Sequence, residues 1–471
     1  MSESEQLQFR HFVACPLYNS RERLILLLDA LLHFSPEFDQ KALSYRQVFP
    51  RIFPNKDFDP QPLRTLMGEL YALLKQFWAH QQLDQRSELS GLLTLQAMRK
   101  RPGKAAHFEA EVRRVHKQLT TSPLRDPDHY YHRYLLADVQ NSWYASQLVR
   151  SYDPSLQEKM DALDAFYFTV KMGDGAEALS RNVILNAQYA LHFMEELCEL
   201  YDGNDAHFPA ATGLYRQLLR CQEEPSEKRH YDRFVKMLFI QVPRFSREEA
   251  RALFKTAQNY CIRRINLGET AFQEELFTLY QNLLDRALIF DENGQLDHTD
   301  FKNMCTLGLR QKAFGWVANL MEQQASRISE QHRSNVYNYC MALYETERGE
   351  QGKAIRLLAG VEFTDTLYDL SARRLMAQCY FEQEDWEGLE HHLNAFGLFL
   401  RRKKDLSTEN KHSHLNFIKL LKNLGRLKEQ AAWLPSQQVS SRLTSLNKRI
   451  EQTEPLAYRS WLRQKVELQG S

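Results

Sequence analysis

Through nearly all of this 471-residue chain the apolar residues recur at three- and four-residue steps, and the two-residue alternation of a half-buried strand is almost nowhere found. In "PLRTLMGELYALLKQFWAHQQL", Leu63, Leu66, Met67, Leu70, Leu73, Leu74 and Phe77 fall on one helical stripe. "MDALDAFYFTVKM", "YALHFMEELCELY" and "FQEELFTLYQNLLDRALIF" repeat the pattern, with short breaks at Asp153-Pro154, "YDGND", "EEPSE" and Gly268. Only 18 glycines and 15 prolines punctuate the chain. The expectation is an all-α protein of many helices joined by short turns, too long for one compact core.

Proline placement divides it. Nine prolines lie before residue 130, and none occurs between Pro243 and Pro435. This predicts an N-terminal helical module over 1–86, where "VFPRIFPNKDFDPQPL" makes a long irregular connection. Irregular hairpins are expected over 87–240, a regular helical array over 241–434 and C-terminal capping helices over 435–471.

Within the proline-free stretch the pattern repeats. "NYCMALYETERGEQGKAIRLLAGV" places Ala342 in a first helix, Gly349 at a turn, and Ala354 and Leu358 in a second helix. "RRLMAQCYFEQEDWEGLEHHLNAF" places Ala377, Tyr380, Trp386, Leu389, Leu393 and Phe396 in the same register. These residues resemble a degenerate tetratricopeptide repeat, with repeat starts at 298, 335, 370 and, more weakly, 411. The match is incomplete, since Glu345 and Gly308 stand at aromatic positions. The resemblance implies a superhelical array of helix hairpins, an α-solenoid, elongated, with a concave face that holds a protein or peptide.

Charge and cysteine usage narrow the function classes. Sixty-one basic residues against sixty acidic ones give a net charge of +1, which offers no overall attraction to nucleic acid or anionic lipid. Seven cysteines without a CxxC pair suit a reducing, cytoplasmic setting. The start "MSESEQLQFR" is not a secretory signal, and the apolar run "LILLLDALL" is too short to span a bilayer.

The motifs that could carry chemistry are weak. "FDENGQLDHTDF" has the spacing of acids around Gly294 that invites a calcium reading. A calcium loop would need an acid where Ile289 stands and a glutamate where Asp300 stands. A turn is expected instead, with Phe290 ending one helix and Asp297 or His298 preceding the next. "KMGDGAEALS" lacks the Lys-Ser/Thr of a phosphate loop and reads as a turn. His391-His392 and "KHSH" read as solvated histidines. "MRKRPGK" at 98–104 and "RRKK" at 401–404 read as helix-end charge, and nucleic-acid contact through the first, or through Arg64 and Lys75, is the lesser alternative. No metal, no cofactor and no catalysis are expected.

What remains is the groove. In the tetratricopeptide family the first helix of each hairpin lines it at repeat positions 2, 5, 9, 12 and 13. Carried onto this register, those positions give Lys302 and Arg310, Tyr339 and Thr346, Arg374 and Gln378, and His412, Lys419 and Lys422. Their basic balance against Glu347 and Glu382 implies an acidic peptide, such as a chain end with its carboxylate. Thr306 replaces the asparagine of the family's carboxylate clamp, which argues against that specific ligand.

Overall fold

The computed structural model describes residues 1–35, 38, 43–101, 105–147, 152–360, 366–403 and 406–467, apart from 186–187, and not the side chains of 183–185 and 366–367. Among these residues there are 22 α-helices and no strand, only one isolated antiparallel bridge between Phe290 and Leu296. The chain falls into two units, Met1–Ser246 and Arg247–Ser471.

The first unit opens with α1 (Glu3–Ala14), α2 (Glu22–Leu32), α3 (Tyr45–Ile52) and α4 (Pro60–Gln85), which share a core running from Phe9 to Phe77. The start of α1 follows from its capping box: Ser2 accepts from the Glu5 amide while the Glu5 carboxylate accepts from the Ser2 amide. In α4 it follows from Asp59 capping the Gln61 amide with Pro60 at the first helical position. Next come α5 (Ser87–Arg99), α6 (Ala105–Thr121) and α7 (Pro127–Ser146), closed by stacking of Phe108 on Trp143 at 4.3 Å over buried Leu95, Val115 and Val139. The unit is completed by α8 (Pro154–Leu185), α9 (Met194–Gly203), α10 (Ala210–Glu223) and α11 (Lys228–Gln241).

Residues 171–180 correct the expectation of a turn: they lie inside α8. Gly173 and Gly175 serve packing between helices, because a Cβ at Gly173 would sit 3.0 Å from the Tyr215 ring of α10. A helical glycine costs about 1 kcal/mol relative to alanine, and close helix contact offsets it.

The second unit is a run of hairpins. It opens with α12 (Arg247–Asn266) and α13 (Phe272–Asp285). Then α14 (His298–Arg310) pairs with α15 (Phe314–Gln324), α16 (Glu330–Glu347) with α17 (Gln351–Ala359), α18 (Thr366–Glu382) with α19 (Trp386–Arg402), and α20 (Thr408–Ala431) with α21 (Ser436–Gln452). First helices also touch across hairpins, α14 against α16 and α16 against α18. A last helix, α22 (Arg459–Glu467), returns onto α20 and α21 and buries Leu462 and Val466 in the core of Phe381, Phe396 and Phe417. Each such buried aliphatic side chain contributes about 1.5–3 kcal/mol through burial. Candidate transmembrane helices are absent: no described helix is long and apolar enough to cross a membrane.

The loop at 290–301 is resolved in detail. Helix α13 ends at Asp285 rather than at Phe290, and Phe290 pairs with Leu296 across the turn. The Asp291 carboxylate accepts from the Asn293 and Gln295 amides at 2.9 and 2.7 Å, while Gly294 takes φ +73°. Asp297 caps α14 through the amides of Thr299 and Asp300, and Asp300 accepts from the Tyr280 hydroxyl at 3.0 Å. These carboxylates are committed to organising a turn and a helix start.

Candidate functional site

Where α14, α16 and α18 meet α22, the second unit opens a cavity of about 470 Å³. The helical period builds its walls: Thr306 and Arg310, Leu343 and Glu347, and Arg374, Gln378 and Glu382 stand one turn apart on the same face of their helices. Arg310, Glu347 and Glu382 end the three helices, and Thr306, Leu343 and Gln378 each stand four residues before those ends.

The charges in this cavity are unequally matched. Glu382 is paired with Lys465 at 2.7 Å, and Glu347 with Lys312 at 2.8 Å. Arg310 is exposed and has no acidic partner among the described residues. Arg374 donates from Nη1 to Gln378 Oε1 at 3.0 Å and lies over the Tyr458 ring at 4.1 Å, yet its buried Nε has no hydrogen-bond partner among the described residues. Thr306 and Thr346 turn their hydroxyls back to the Lys302 and Ala342 carbonyls at 2.8 and 2.7 Å. Both carboxylates are thus neutralised by lysines, leaving two guanidiniums without a carboxylate. A buried polar group without a partner costs about 1–3 kcal/mol, and a ligand oxygen relieves that cost.

The other sequence-expected residues are placed as follows. Lys302 sits 3.9 Å above the Tyr368 ring, and buried Tyr339 lies beside the same ring and near Arg374. Burial raises the Tyr339 phenol above its ordinary value. These two adjoin the cavity without lining it. His412 and Lys419 are exposed on α20, away from the cavity lining. Lys422 donates to Asn394 and lines a different hollow between α19 and α20, beside Trp386 and Glu390. The reason is that α20, 24 residues long, departs from the shorter first helices, and α22 supplies the fourth wall instead.

That wall consists of Tyr458, Trp461, Gln464 and Lys465, none of them among the groove residues expected from the sequence. A signal for it exists in "YRSWLRQKVEL". Tyr458, Trp461 and Lys465 recur at three- and four-residue steps on one face, while Leu462 and Val466 mark a second, buried face.

Of the four histidines expected to be solvated, His391 and His412 are exposed and the other two are not. His392 is largely enclosed against the Arg373 carbonyl, with Nε2 2.7 Å from it, and burial lowers its pKa. His414 packs beside Phe396 and Tyr458, and burial followed by the charge of Arg374 lowers its pKa to about 4. Neither is a solvated surface group. Among the described residues no three His, Cys, Asp or Glu side chains are gathered as metal ligands. Arg64 and Lys75 lie over the rings of Tyr45 and Tyr71 at 6.0 and 5.1 Å. Residues 102–104 and 404 of the basic clusters fall outside the described residues. In the first unit, Arg216 is bound on both sides, to Asp202 and Glu223 at 3.0 Å each. Comparison with known protein families, curated proteins and solved structures gives no significant match.

Proposed function

We propose that the second unit is a non-catalytic, tetratricopeptide-like protein-binding module, a solenoid of helix hairpins that holds an acidic segment of a partner protein. The observation that carries this reading is the pair of arginines in the cavity. Arg310 is open to solvent, and Arg374 has a buried donor nitrogen with no acceptor, while the neighbouring carboxylates are already paired. A guanidinium presents a planar fork of donors that matches a carboxylate in bidentate fashion. Gln378, bound to Arg374, holds the fork in place. The α22 wall adds Tyr458 and Trp461, aromatic faces of the kind that anchor partner residues at interfaces.

The test uses the full chain against an array of acidic and neutral peptides, read by fluorescence anisotropy. Arg310→Glu is the clean variant, because Arg310 is exposed and its reversal leaves the core intact, whereas reversal of half-buried Arg374 would disturb the Tyr458 contact. Selective binding of acidic peptides, weakened tenfold or more by Arg310→Glu and unchanged by Lys419→Glu, is expected. Equal affinity for neutral peptides, or full retention by Arg310→Glu, would sink the reading.

A further inference from the structure

A second basic hollow lies in the first unit, where α6, α7 with the link before it, and the N-terminal part of α8 converge around a cavity of about 180 Å³. His129 and Arg133 stand one turn apart on α7, Arg125 comes from the link, His116 from α6 and Glu158 from α8, over a floor that includes Leu119. His129 is 6% exposed, and its buried Nδ1 has no hydrogen-bond partner among the described residues. The Arg125 guanidinium is fixed in position by its own backbone: Nη1 donates to the carbonyls of Ser122, at 2.7 Å, and Leu124. Arg133 is exposed and has no acidic partner among the described residues.

We propose that this hollow is a binding site for a tetrahedral oxyanion, a phosphate group, held by Arg125, Arg133 and the His129 imidazole. Among the residues that line the cavity, two arginines face one carboxylate, Glu158, so the lining itself is positive before His129 takes a proton. A liquid water occupies roughly 30 Å³, so the cavity has room for a phosphate-sized ion. Hydrogen bonds from a guanidinium to an oxyanion are charge-assisted and roughly twice as strong as neutral ones.

His129 supplies a distinctive signature. Desolvation, followed by the charges of Arg125, Arg133 and His132, lowers its pKa to about 4. Among the other ionisable groups around it, Asp126 caps the His129 amide and accepts from the Ser246 amide, His132 is tied electrostatically to Asp128 and Glu88, and Glu158 lies across the cavity. A bound dianion opposes the arginine charges and favours the protonated imidazole. Anion binding and proton uptake by His129 are therefore coupled.

Sulfate tests this directly, because its own charge is constant from pH 4 to 8. It is titrated into the full chain at constant ionic strength, followed by calorimetry and by the imidazole resonances. Wild type is expected to bind sulfate saturably, with affinity rising as pH falls from 6.5 to 5 and approaching about tenfold per pH unit. Arg133→Gln should weaken binding about tenfold at every pH, as loss of a charged hydrogen bond predicts. His129→Gln should remove the pH dependence, and His116→Gln separates any contribution from the ring at the mouth. Inorganic phosphate and O-phosphoserine, run in parallel, distinguish a free ion from a phosphorylated side chain by which binds more tightly. Absence of saturable uptake of all three anions at pH 5 overturns the proposal. So does binding that neither Arg133→Gln nor His129→Gln alters, and Arg133→Gln keeps the test decisive even where His129→Gln fails to fold.

Discussion

His129 and His414 are each held near a pKa of about 4 by burial, far below the ordinary imidazole value of about 6.5. An unfolded chain protonates both near pH 6.5, whereas the folded chain resists until about pH 4. Between those limits the unfolded state binds more protons, so their contribution to stability is present above pH 6.5 and is lost as pH falls towards 4. Urea unfolding at stepped pH should show this decline, with each histidine accounting for up to roughly 2–3 kcal/mol. Replacing His414 by Gln should flatten the slope, and a slope unchanged by both His129→Gln and His414→Gln would refute the assignment. The sequence held part of this. His414, Phe417, Ile418 and Leu421 continue one stripe of α20, so the enclosed imidazole was legible as the first member of an apolar face. For His129 the burial depends on α6 and α8 arriving from elsewhere in the chain, which local spacing cannot express.

At the scale of elements, sequence and structure agree on helix throughout the described residues, with no strand among them. The helices α14, α16 and α18 end at Arg310, Glu347 and Glu382, 37 and 35 residues apart. The longer α20 departs from that spacing, because its stripe runs unbroken to Leu427 and no turn signal cuts it earlier. Gly308 shows what a close approach demands: a Cβ there would lie 2.6 Å from Val317 Cγ2 of α15. Gly308→Ala should therefore destabilise by about 1–3 kcal/mol despite alanine's better helix propensity, and a stabilised variant in thermal denaturation would contradict the packing. The N-cap of α14 gives a second measure. Asp297→Ala should cost about 1 kcal/mol. The neighbouring Asp291 accepts two backbone amides, so Asp291→Ala should lower the melting temperature equally with and without calcium. A calcium-dependent rise in wild type that Asp291→Ala abolishes would restore the metal reading of this loop.

At the scale of the whole molecule, the division of the chain follows from contacts that cross long sequence distances. A boundary at residue 240, which the change in proline spacing suggests, would sever two ties: Arg125 donates its amide to the Arg244 carbonyl at 2.6 Å, and the Ser246 amide donates to Asp126 at 3.1 Å. Asp126 also caps α7 next to His129, so these bonds hold the wall of the oxyanion cavity. The first unit therefore has to extend through Ser246, and it has cores of its own over α1–α4 and α5–α7. Likewise, Arg247–Ser471 contains both the cavity of Arg310 and Arg374 and the α22 wall that closes it. Expressed separately, residues 1–246 should keep sulfate binding and residues 247–471 should keep acidic-peptide binding, each within about threefold of the full chain, since binding energy resides in the contacts lining each site. Ending the first fragment at 240 should lower its melting temperature and its sulfate affinity together, because the wall loses both backbone ties. Removing residues 453–471 from the second should weaken peptide binding through loss of Tyr458, Trp461 and Lys465. It should also expose the core that Leu462 and Val466 cover, which dye binding and circular dichroism of the truncated unit would reveal.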